Sequence, residues 1–470
     1  MATVLAKPES APPGAPQVQL EMLCDAGSFR PLRSGVSSLR LGERAAPGDG
    51  VVAGAGEVGG RPVFCYAQDP KFLGGSLGEV HAETIVRLMR MAGDAGAPVV
   101  GFVRSGGARL QEGHAALAGY GRIFRASVEL SRKVPQISIL DGISAGGGAY
   151  SPALTDFVVM TEESRMFLTG PKVVAEAMGE EISMEALGGP KVHSRNGVCH
   201  MVAADDVGAV DSTRRLLALL PQRIGGELPL ADAVAPIGVD PGSFVPAEPR
   251  KVYDVRDVAG AILDPGSFVE ISPRWAANMV TGFAQLDGRP VGIVANQPRR
   301  LGGVIDAAGS EKAALFIDSC ERFGLPLVVL VDTPGFLPGR KQEEEGVIRY
   351  GAQLLRSFAG ATVPKVTLVL RKAFGGAAIT MNSKDLGADV VFSWPGAQIG
   401  IMAARQAVGI VHHRALKAEG GPSHDELADA YAAEHLTAPA AAASGWVDEV
   451  IEPAWSRDRL SWALRSLGGR

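Results

Sequence analysis

A repeat at a fixed spacing is the feature of this sequence that most restricts its fold. The dipeptides that recur are Arg61-Pro62 with Arg289-Pro290, Gly74-Gly75 with Gly302-Gly303, and Gly146-Gly147 with Gly375-Gly376. The first two pairs share one spacing (289 − 61 = 228; 302 − 74 = 228), and one inserted residue accounts for the third (375 − 146 = 229). Coincidence in a chain with 60 glycines is the alternative, but chance would not keep one spacing at separated positions. The repeat therefore predicts two copies of one folded unit.

Each half of the chain shows the same order of strands and helices. In the first half an alternating strand at 62–66 leads through a glycine turn to a helix at 83–95, and a buried apolar strand follows. In the second half the strand is at 290–294 and the helix at 310–323. Strands that alternate with helices indicate βαβ units and a largely parallel sheet. We therefore predict the α/β class for both halves.

Proline and glycine mark the boundary between the halves. Residues 225–250 contain five prolines, which is typical of a connector rather than of a helix or strand. We place the N-terminal domain at 19–235 and the C-terminal domain at 236–470. Residues 1–18 are rich in Ala and Pro and are predicted to form a disordered tail.

Composition excludes several classes of protein. No apolar run reaches the roughly 20 residues that a membrane span needs, and the N-terminus lacks the pattern of a secretory signal. We therefore expect a cytoplasmic protein with no membrane partner. The net charge of −5 gives no indication of a nucleic-acid partner. Because Cys24, Cys65, Cys199 and Cys320 form no C-x-x-C pair, we expect neither a zinc site nor a disulfide framework.

Two glycine-rich segments are the strongest candidates for chemistry. Residues 142–150 and 371–378 each follow a buried strand and open a helix. The first N–H groups of a helix have no partner within it, and glycine lets a ligand approach them closely. Such a site binds phosphate or stabilises an oxyanion. Tight helix–sheet packing explains one such segment equally well, but two segments at equivalent positions favour a pair of anion-stabilising sites.

Familiar catalytic motifs are absent from the sequence. Neither glycine segment has the pattern of an ATP-binding P-loop, and no G-x-S-x-G surrounds a candidate nucleophile. The eight histidines include no H-E-x-x-H pair. A histidine outside such a motif is more often structural than catalytic. The sequence therefore predicts backbone sites that stabilise anions without an obvious side-chain base.

Several motifs in a fixed order carry a resemblance to a known family. They are 72–79 (FLGGSLGE), 105–113 (SGGARLQEG), 145–153 (AGGGAYSPA), 332–339 (DTPGFLPG) and 371–377 (RKAFGGA). Over about residues 20–465, the chain resembles the carboxyltransferase (beta) subunits of biotin-dependent acyl-CoA carboxylases. The resemblance implies two tandem crotonase-like domains, each a ββα spiral. It also implies transfer of a carboxyl group from carboxybiotin to the α-carbon of a short-chain acyl-CoA, giving malonyl-CoA or methylmalonyl-CoA type products.

The resemblance assigns roles to individual residues. Gly146 and Gly147 are expected to hold the thioester oxygen, and Gly376 and Ala377 the ureido oxygen of biotin. The residues expected beside them are Gly106, Gly107 and Ala108 for the acyl-CoA, and Phe374 and Gly375 for biotin. Ile379 stands where relatives often carry a polar or acidic side chain, so it is expected to line the acyl pocket. The alternative for Ile379 is packing in the core behind the loop.

The resemblance also implies partners. In the family the ureido group of biotin takes the α-proton, which accounts for the missing side-chain base. The chain has no Met-Lys biotinylation motif, so carboxybiotin is expected on a separate biotin carboxylase or carrier subunit. Family sites lie between the N-terminal half of one subunit and the C-terminal half of another, which implies a homo-oligomer, with a hexamer expected. Two alternatives are a decarboxylase or transcarboxylase of the same fold, and a non-catalytic subunit of a complex.

Overall fold

The computed structural model describes residues 15–248, 250–416 and 421–468. The chain divides into two compact units, Met1–Glu227 (unit 1) and Leu228–Arg470 (unit 2). The division lies eight residues before the position expected from the sequence, 235–236 (235 − 227 = 8). Of the tail predicted at 1–18, residues 1–14 lie outside the described residues. Pro16 already begins a helix, because proline suits a first helical turn and Leu20 and Leu23 are buried.

Unit 1 contains one eight-stranded sheet. Its strands are β1 (Arg30–Leu32), β2 (Val51–Val58), β3 (Arg61–Gln68), β4 (Val99–Ser105), β5 (Gln136–Ala145), β6 (Phe157–Thr161), β7 (Arg165–Phe167) and β8 (Met201–Ala203). The order is β1-β2-β3-β4-β5-β6-β8, and β7 pairs with the end of β5. The pairs from β3 onward are parallel, whereas β1-β2-β3 is antiparallel.

Helices connect these strands. They are α1 (Pro16–Leu23), α2 (Glu79–Ala95), α3 (His114–Leu130), α4 (Gly147–Ala153), α5 (Pro171–Met178), α6 (Met184–Gly188), α7 (Pro190–His193) and α8 (Asp206–Leu219). Residues of β4 are almost all buried, as expected for a parallel strand covered on both faces. The core of the unit packs apolar side chains of α2 and α3 against the sheet, including Ile85, Leu88 and Ile123.

Unit 2 repeats this sheet strand for strand. Its strands are β9 (Val269–Ile271), β10 (Met279–Leu286), β11 (Arg289–Asn296), β12 (Leu327–Thr333), β13 (Lys365–Phe374), β14 (Val390–Ser393), β15 (Gln398–Gly400) and β16 (Glu449–Val450). The order is β9-β10-β11-β12-β13-β14-β16, and β15 pairs with β13. The predicted duplication and the α/β class are thus confirmed.

The helices of unit 2 follow the same plan with additions near the C-terminus. They are α9 (Val255–Ile262), α10 (Ala307–Phe323), α11 (Arg340–Glu344), α12 (Val347–Gly360), α13 (Gly375–Thr380), α14 (Ala404–Val411), α15 (His413–Leu416), α16 (His424–His435), α17 (Ala438–Ala443) and α18 (Ser456–Leu467). Helices α2 and α10 are both 17 residues long, and each ends at a left-handed glycine, Gly96 or Gly324. No helix within the described ranges is long and apolar enough to cross a bilayer.

All four cysteines are free and buried. Cys24, Cys65 and Cys199 belong to unit 1, and Cys320 belongs to unit 2. The sulfur atoms of Cys24 and Cys65 lie 3.9 Å apart. Burial raises the pKa of the Cys320 thiol well above its usual value, so this side chain acts as a small apolar group of the core.

Candidate active site

In unit 1 the turn between β5 and α4 presents two free N–H groups. Gly146 has a φ of 59°, a left-handed conformation that favours glycine. Its N–H donates to the carbonyl oxygen of Phe167 at 3.1 Å, and the N–H of Ala149 donates to Gly146 at 3.0 Å. Between them, Gly147 and Gly148 have N–H groups with no acceptor among the residues that the structure describes. Of the expected pair, Gly147 has a free N–H, whereas strand pairing uses the donor of Gly146, and the second free donor of the turn belongs to Gly148.

Packing also requires glycine at this turn. A Cβ atom at Gly147 would lie 2.8 Å from the ring of Tyr120, and one at Gly148 would lie 2.8 Å from Oγ of Ser144. The packing explanation considered for these glycines is thus correct, but it does not account for the two donors. A buried N–H without an acceptor is unfavourable, so the turn is suited to an oxygen supplied by a ligand.

The loop after β4 lies against this turn. The N–H of Gly106 donates to Gly74 at 3.0 Å, and the carbonyl of Gly107 accepts the N–H of Leu77 at 2.9 Å. The Cα of Gly107 lies 4.0 Å from the Cβ position of Gly146. The N–H of Ala108 has no acceptor within the described parts of the chain. Of the three residues expected to bind acyl-CoA, Ala108 alone offers a free N–H beside the turn, since the N–H of Gly107 reaches Oγ of Ser105 at 3.3 Å.

A buried arginine holds this loop in place. Arg109 is 0% exposed, and its Nη1 contacts Asp49 at 2.7 Å and Glu112 at 2.8 Å. Its Nη2 donates to the carbonyl of Ser76 at 3.0 Å. Burial raises the pKa of Asp49, although Arg109 opposes this effect. Burial also acts on Glu112, but the Glu79 N–H and Arg109 outweigh it and lower the pKa of Glu112. Arg109 therefore connects the loop after β4 to Asp49, which precedes β2, and to Ser76, which precedes α2.

A cleft of about 750 Å³ opens at the carboxyl ends of β3, β4 and β5 in unit 1. Its lining includes Lys71, Gly74, Arg104, Gly106, Asp141 and Gly142. Arg104 forms ion pairs with Asp141 and, at 3.4 Å, with Asp206. Burial raises the pKa of Asp141 to about 6 in spite of Arg104. Parallel sheets commonly bind ligands at the carboxyl ends of their strands, and this cleft reaches the loop that carries Ala108.

Unit 2 presents an equivalent turn between β13 and α13. Gly375 has a φ of 60°, matching Gly146. Gly376 and Ala377, the equivalents of Gly147 and Gly148, have N–H groups with no acceptor in the described residues. Gly376 is exposed, and among the described residues outside its own turn the nearest atom to its Cβ position is a ring carbon of Phe336 at 4.0 Å. The turn therefore has open space at Gly376, whereas Ala377 is buried beside it. The side chain of Phe374 is 4% exposed and belongs to the core, so only its backbone could face a ligand.

Phe336 was not among the residues expected from the sequence. It follows β12, where it bridges to Ile305 as Ala108 bridges to Leu77 in unit 1. Its ring lies 3.4 Å from the Cβ position of Gly351 on α12. The spacing of the repeat, applied to Ala108, would have found it (108 + 228 = 336).

Ile379 points away from the core of unit 2. Its side chain is 43% exposed, whereas its neighbours Ala378 and Thr380 on α13 are buried. The alternative of core packing therefore does not fit this chain. The position of Ile379, three residues beyond Gly376, agrees with a place beside the turn.

No described group of three or more His, Cys, Asp or Glu side chains could hold a metal ion. Two histidines with lowered pKa values have structural contacts. Burial lowers the pKa of His81 to about 3 and that of His200 to about 4, so both are neutral. Nε2 of His81 lies 3.2 Å from Nε2 of Gln68, and Nδ1 of His200 accepts the N–H of Val158 at 3.0 Å. The two turns can therefore stabilise negative charge on an oxygen, and these histidines are not placed to act as bases.

Comparison with known proteins agrees with this geometry. The sequence model described as "Carboxyl transferase domain" matches residues 16–468. The propionyl-CoA carboxylase carboxyltransferase subunit of Haloferax mediterranei is 47% identical over 90% of this chain and 84% of its own length. The methylmalonyl-CoA decarboxylase subunit alpha of Propionigenium modestum is 42% identical over 96% and 90%. A crystal structure of transcarboxylase 12S, a hexamer with methylmalonyl-coenzyme A and methylmalonic acid bound, superposes with a TM-score of 0.92 at 43% identity, covering 97% of this chain and 89% of that one.

Proposed function

The chain belongs to the carboxyl transferase domain family, and from this premise we propose that it transfers a carboxyl group from carboxybiotin to the α-carbon of a short-chain acyl-CoA. It is the carboxyltransferase component of a biotin-dependent acyl-CoA carboxylase. The single observation that supports the reaction best is the repeated turn, with two free N–H groups at Gly147 and Gly148 and two more at Gly376 and Ala377.

In unit 1 the proposed substrate is the acyl-CoA thioester. The N–H groups of Gly147 and Gly148 bind its carbonyl oxygen, and the cleft beside Gly106 accommodates the CoA portion. When the α-carbon loses its proton, negative charge moves to this oxygen. Donors fixed in advance stabilise that charge better than they stabilise the neutral thioester, which is the basis of electrostatic catalysis. The Ala108 N–H, on the loop that touches the turn, is a third donor available for this ligand.

The residues of unit 2 fit a biotin ureido group. Its flat ring needs donors for one carbonyl oxygen and open space on that side, and Gly376 and Ala377 offer the donors while Gly376 is exposed. When bound there, carboxybiotin supplies the carboxyl group and the base that this chain lacks. Gly376 and Ala377 orient the ureido oxygen, and the exposed Ile379 borders the acyl chain. The biotin itself is expected on a partner carrier subunit.

A second function within the same chemistry is the reverse transfer, as in a decarboxylase or transcarboxylase. The relatives with these names are nearly as similar to the chain as the carboxylase subunit, at 42–43% against 47% identity. Both directions use the same oxyanion sites, so the geometry is common to them. A purely structural subunit is disfavoured because both N–H pairs are present.

The test is an assay of the purified chain with a biotinylated carrier and biotin carboxylase, ATP and labelled bicarbonate. Acetyl-, propionyl- and butyryl-CoA are the acceptors, and label fixed in acid-stable product is counted. A parallel reaction follows loss of carboxylate from methylmalonyl-CoA in the presence of free biotin. Fixation supports the carboxylase, and decarboxylation without fixation supports the alternative. If neither occurs with a folded protein, the proposal is wrong.

We also propose a homo-oligomer, as in the transcarboxylase hexamer. An exposed apolar groove on α3 and α4 supports this, because it contains Phe124, Val128, Tyr150 and Leu154 beside the turn of unit 1. Such a patch is commonly an interface. We expect light scattering at assay concentration to give a mass several times the 48.8 kDa of one chain. An active monomer would contradict this expectation.

Ile379 is expected to set the preference for acyl chain length. Against an apolar wall a further methylene contributes about 0.8 kcal/mol, and pockets discriminate one methylene by roughly 1–3 kcal/mol. The Ile379→Asp variant should therefore lower the ratio of kcat/KM for butyryl-CoA to that for propionyl-CoA about tenfold. Ile379→Val, which keeps the wall apolar, is the control and should change this ratio little. An equal loss for both substrates in Ile379→Asp would remove Ile379 from the acyl pocket.

A further inference from the structure

The two units differ at the positions that line the cleft of unit 1. The repeat relates Arg104 to Asp332 and Gly142 to Arg371 (332 − 104 = 228; 371 − 142 = 229). Arg104 and Asp332 occupy the same irregularity of their strands, where the pairing of β4 with β5 and of β12 with β13 shifts register. The position that carries a positive charge on β4 of unit 1 therefore carries a negative charge on β12 of unit 2.

In unit 1 the side chain of Arg104 packs over Gly142. A Cβ atom at Gly142 would lie 3.2 Å from Cγ of Arg104 and 3.4 Å from its Cδ. The guanidinium turns toward Asp141 and Asp206. Because Gly142 has no side chain, the cleft stays open beside it.

In unit 2 a side chain takes the place left open at Gly142. The Arg371 side chain is 10% exposed, and its Nε lies 3.0 Å from Oδ2 of Asp332. Its Nη1 donates to the carbonyl of Lys251 at 2.8 Å, and its guanidinium stands 5.1 Å from the ring centroid of Tyr253. The Tyr253 hydroxyl donates to the same Asp332 oxygen at 2.9 Å. Tyr253, Asp332 and Arg371 therefore form one buried cluster.

This cluster fixes the segment before α9 over the strand ends. The amide of Gln297, which directly follows β11, donates to Asp254 at 2.6 Å. The N–H of Val255 donates back to Gln297 at 3.3 Å. Asp254 and Val255 stand at the start of α9 as Ala15 and Pro16 stand at the start of α1. In unit 1 these two equivalents line the open cleft.

We propose that the Tyr253–Asp332–Arg371 cluster closes in unit 2 the cleft that is open in unit 1, and so restricts acyl-CoA to one site in each chain. The other requirements of a CoA site are present in unit 2. It has the free N–H groups of Gly376 and Ala377, and Arg299 occupies the position of Lys71 (71 + 228 = 299). The cluster, rather than a lack of donors, makes two copies of one fold take two different ligands. This inference rests on the proposed function, since it requires acyl-CoA to be the ligand of unit 1.

The test counts propionyl-CoA bound to the intact oligomer by equilibrium dialysis with radiolabelled ligand. Wild type should saturate at one per chain. The triple variant Tyr253→Ala/Asp332→Ala/Arg371→Ala removes both charges together, so it leaves no unpaired buried charge. We expect it to saturate at two per chain, with a second and weaker site. Circular dichroism and light scattering confirm that the variant keeps the wild-type fold and mass.

A transplant into unit 1 provides the converse test. Arg104→Asp/Asp141→Leu/Gly142→Arg places the residues of unit 2 at these positions of unit 1, because Leu370 occupies the position of Asp141 (370 − 141 = 229). We expect binding to fall to none at concentrations that saturate wild type. If the triple variant does not fold, this variant decides alone. A folded triple variant that still binds one, or a folded transplant that still binds one, overturns the inference. Wild type that binds two per chain also overturns it, whereas wild type that binds none contradicts the proposed function instead.

Discussion

Replacing Gly376 by proline should lower kcat roughly 100- to 1000-fold, the usual loss when one oxyanion donor is removed. Proline has no N–H, so one of the two donors at the unit 2 turn disappears. Its ring suits the first turn of a helix, and Gly376 is exposed, with Phe336 at 4.0 Å the nearest described residue outside the turn to its Cβ position. The loss should therefore come from the missing donor rather than from a collapsed turn.

Gly376→Ala is the matched control, because it adds a carbon atom and keeps the N–H. Its kcat should lie well above that of Gly376→Pro. Binding of acyl-CoA, measured by calorimetry, should be the same in both variants and in wild type, since the proposed CoA site lies in unit 1. If proline and alanine reduce kcat equally, steric blockage of the turn explains the loss. If Gly376→Pro turns over normally, the Gly376 N–H takes no part in the reaction.

Replacing Arg109 by methionine should destabilise unit 1 by roughly 3–5 kcal/mol, the cost of leaving buried charges without their partner. Asp49 and Glu112 would both lose the guanidinium that contacts them at 2.7 and 2.8 Å. The loop 106–108 would lose its link to Ser76. We therefore expect lower kcat together with faster hydrogen exchange of the amides in β4 and α3.

Hydrogen exchange is the appropriate measurement because a chain with two units need not unfold in one step. It also separates unit 1 from unit 2, whose protection should not change. Arg40→Met is the control, since Arg40 forms an ion pair with Glu79 at 2.7 Å but has a side chain that is 55% exposed. Exposed pairs contribute little, so its exchange should remain near that of wild type. Unchanged exchange in Arg109→Met would show that Arg109 is not the support of the loop.

The fold could be predicted from the sequence because its strongest signals are repeated. The duplicated glycine pairs and the apolar strands predicted the two sheets, and the buried apolar strand expected after the first long helix is present as β4, with β12 as its repeat. Helix starts were placed three or four residues late (310 − 307 = 3; 83 − 79 = 4). For α2 the physical reason is that Gly78 provides no side-chain cap to mark the beginning. For α10 the cap is present, since Asp306 accepts the N–H of Gly309. The predicted start followed the spacing of apolar residues, which begins after this cap.

The site could be predicted only as far as local sequence determines it. The glycine segment 142–150 was expected to follow a buried strand, but β5 continues into that segment as far as Ala145 because β7, which comes after α4 and β6 in the chain, pairs with its end. The same pairing occupies the N–H of Gly146 and moves the donor pair by one residue. Contacts between distant residues, such as Arg109 with Asp49, leave no pattern in one sequence. The equivalence of Arg104 and Asp332 rests on the structure, in which both residues lie at the register shift of equivalent strands.

The distribution of the four buried thiols gives the chain an internal reporter of opening. A thiol reacts only when reagent reaches its thiolate, and none of these four is more than 4% exposed. Three of them lie in unit 1 and one in unit 2. We therefore expect an excess of a disulfide reagent that releases a coloured thiolate to react in two kinetic steps. The absorbance changes of the two steps should be in a ratio of three to one. The larger step measures how often unit 1 opens and the smaller one how often unit 2 does, within a single unmodified protein.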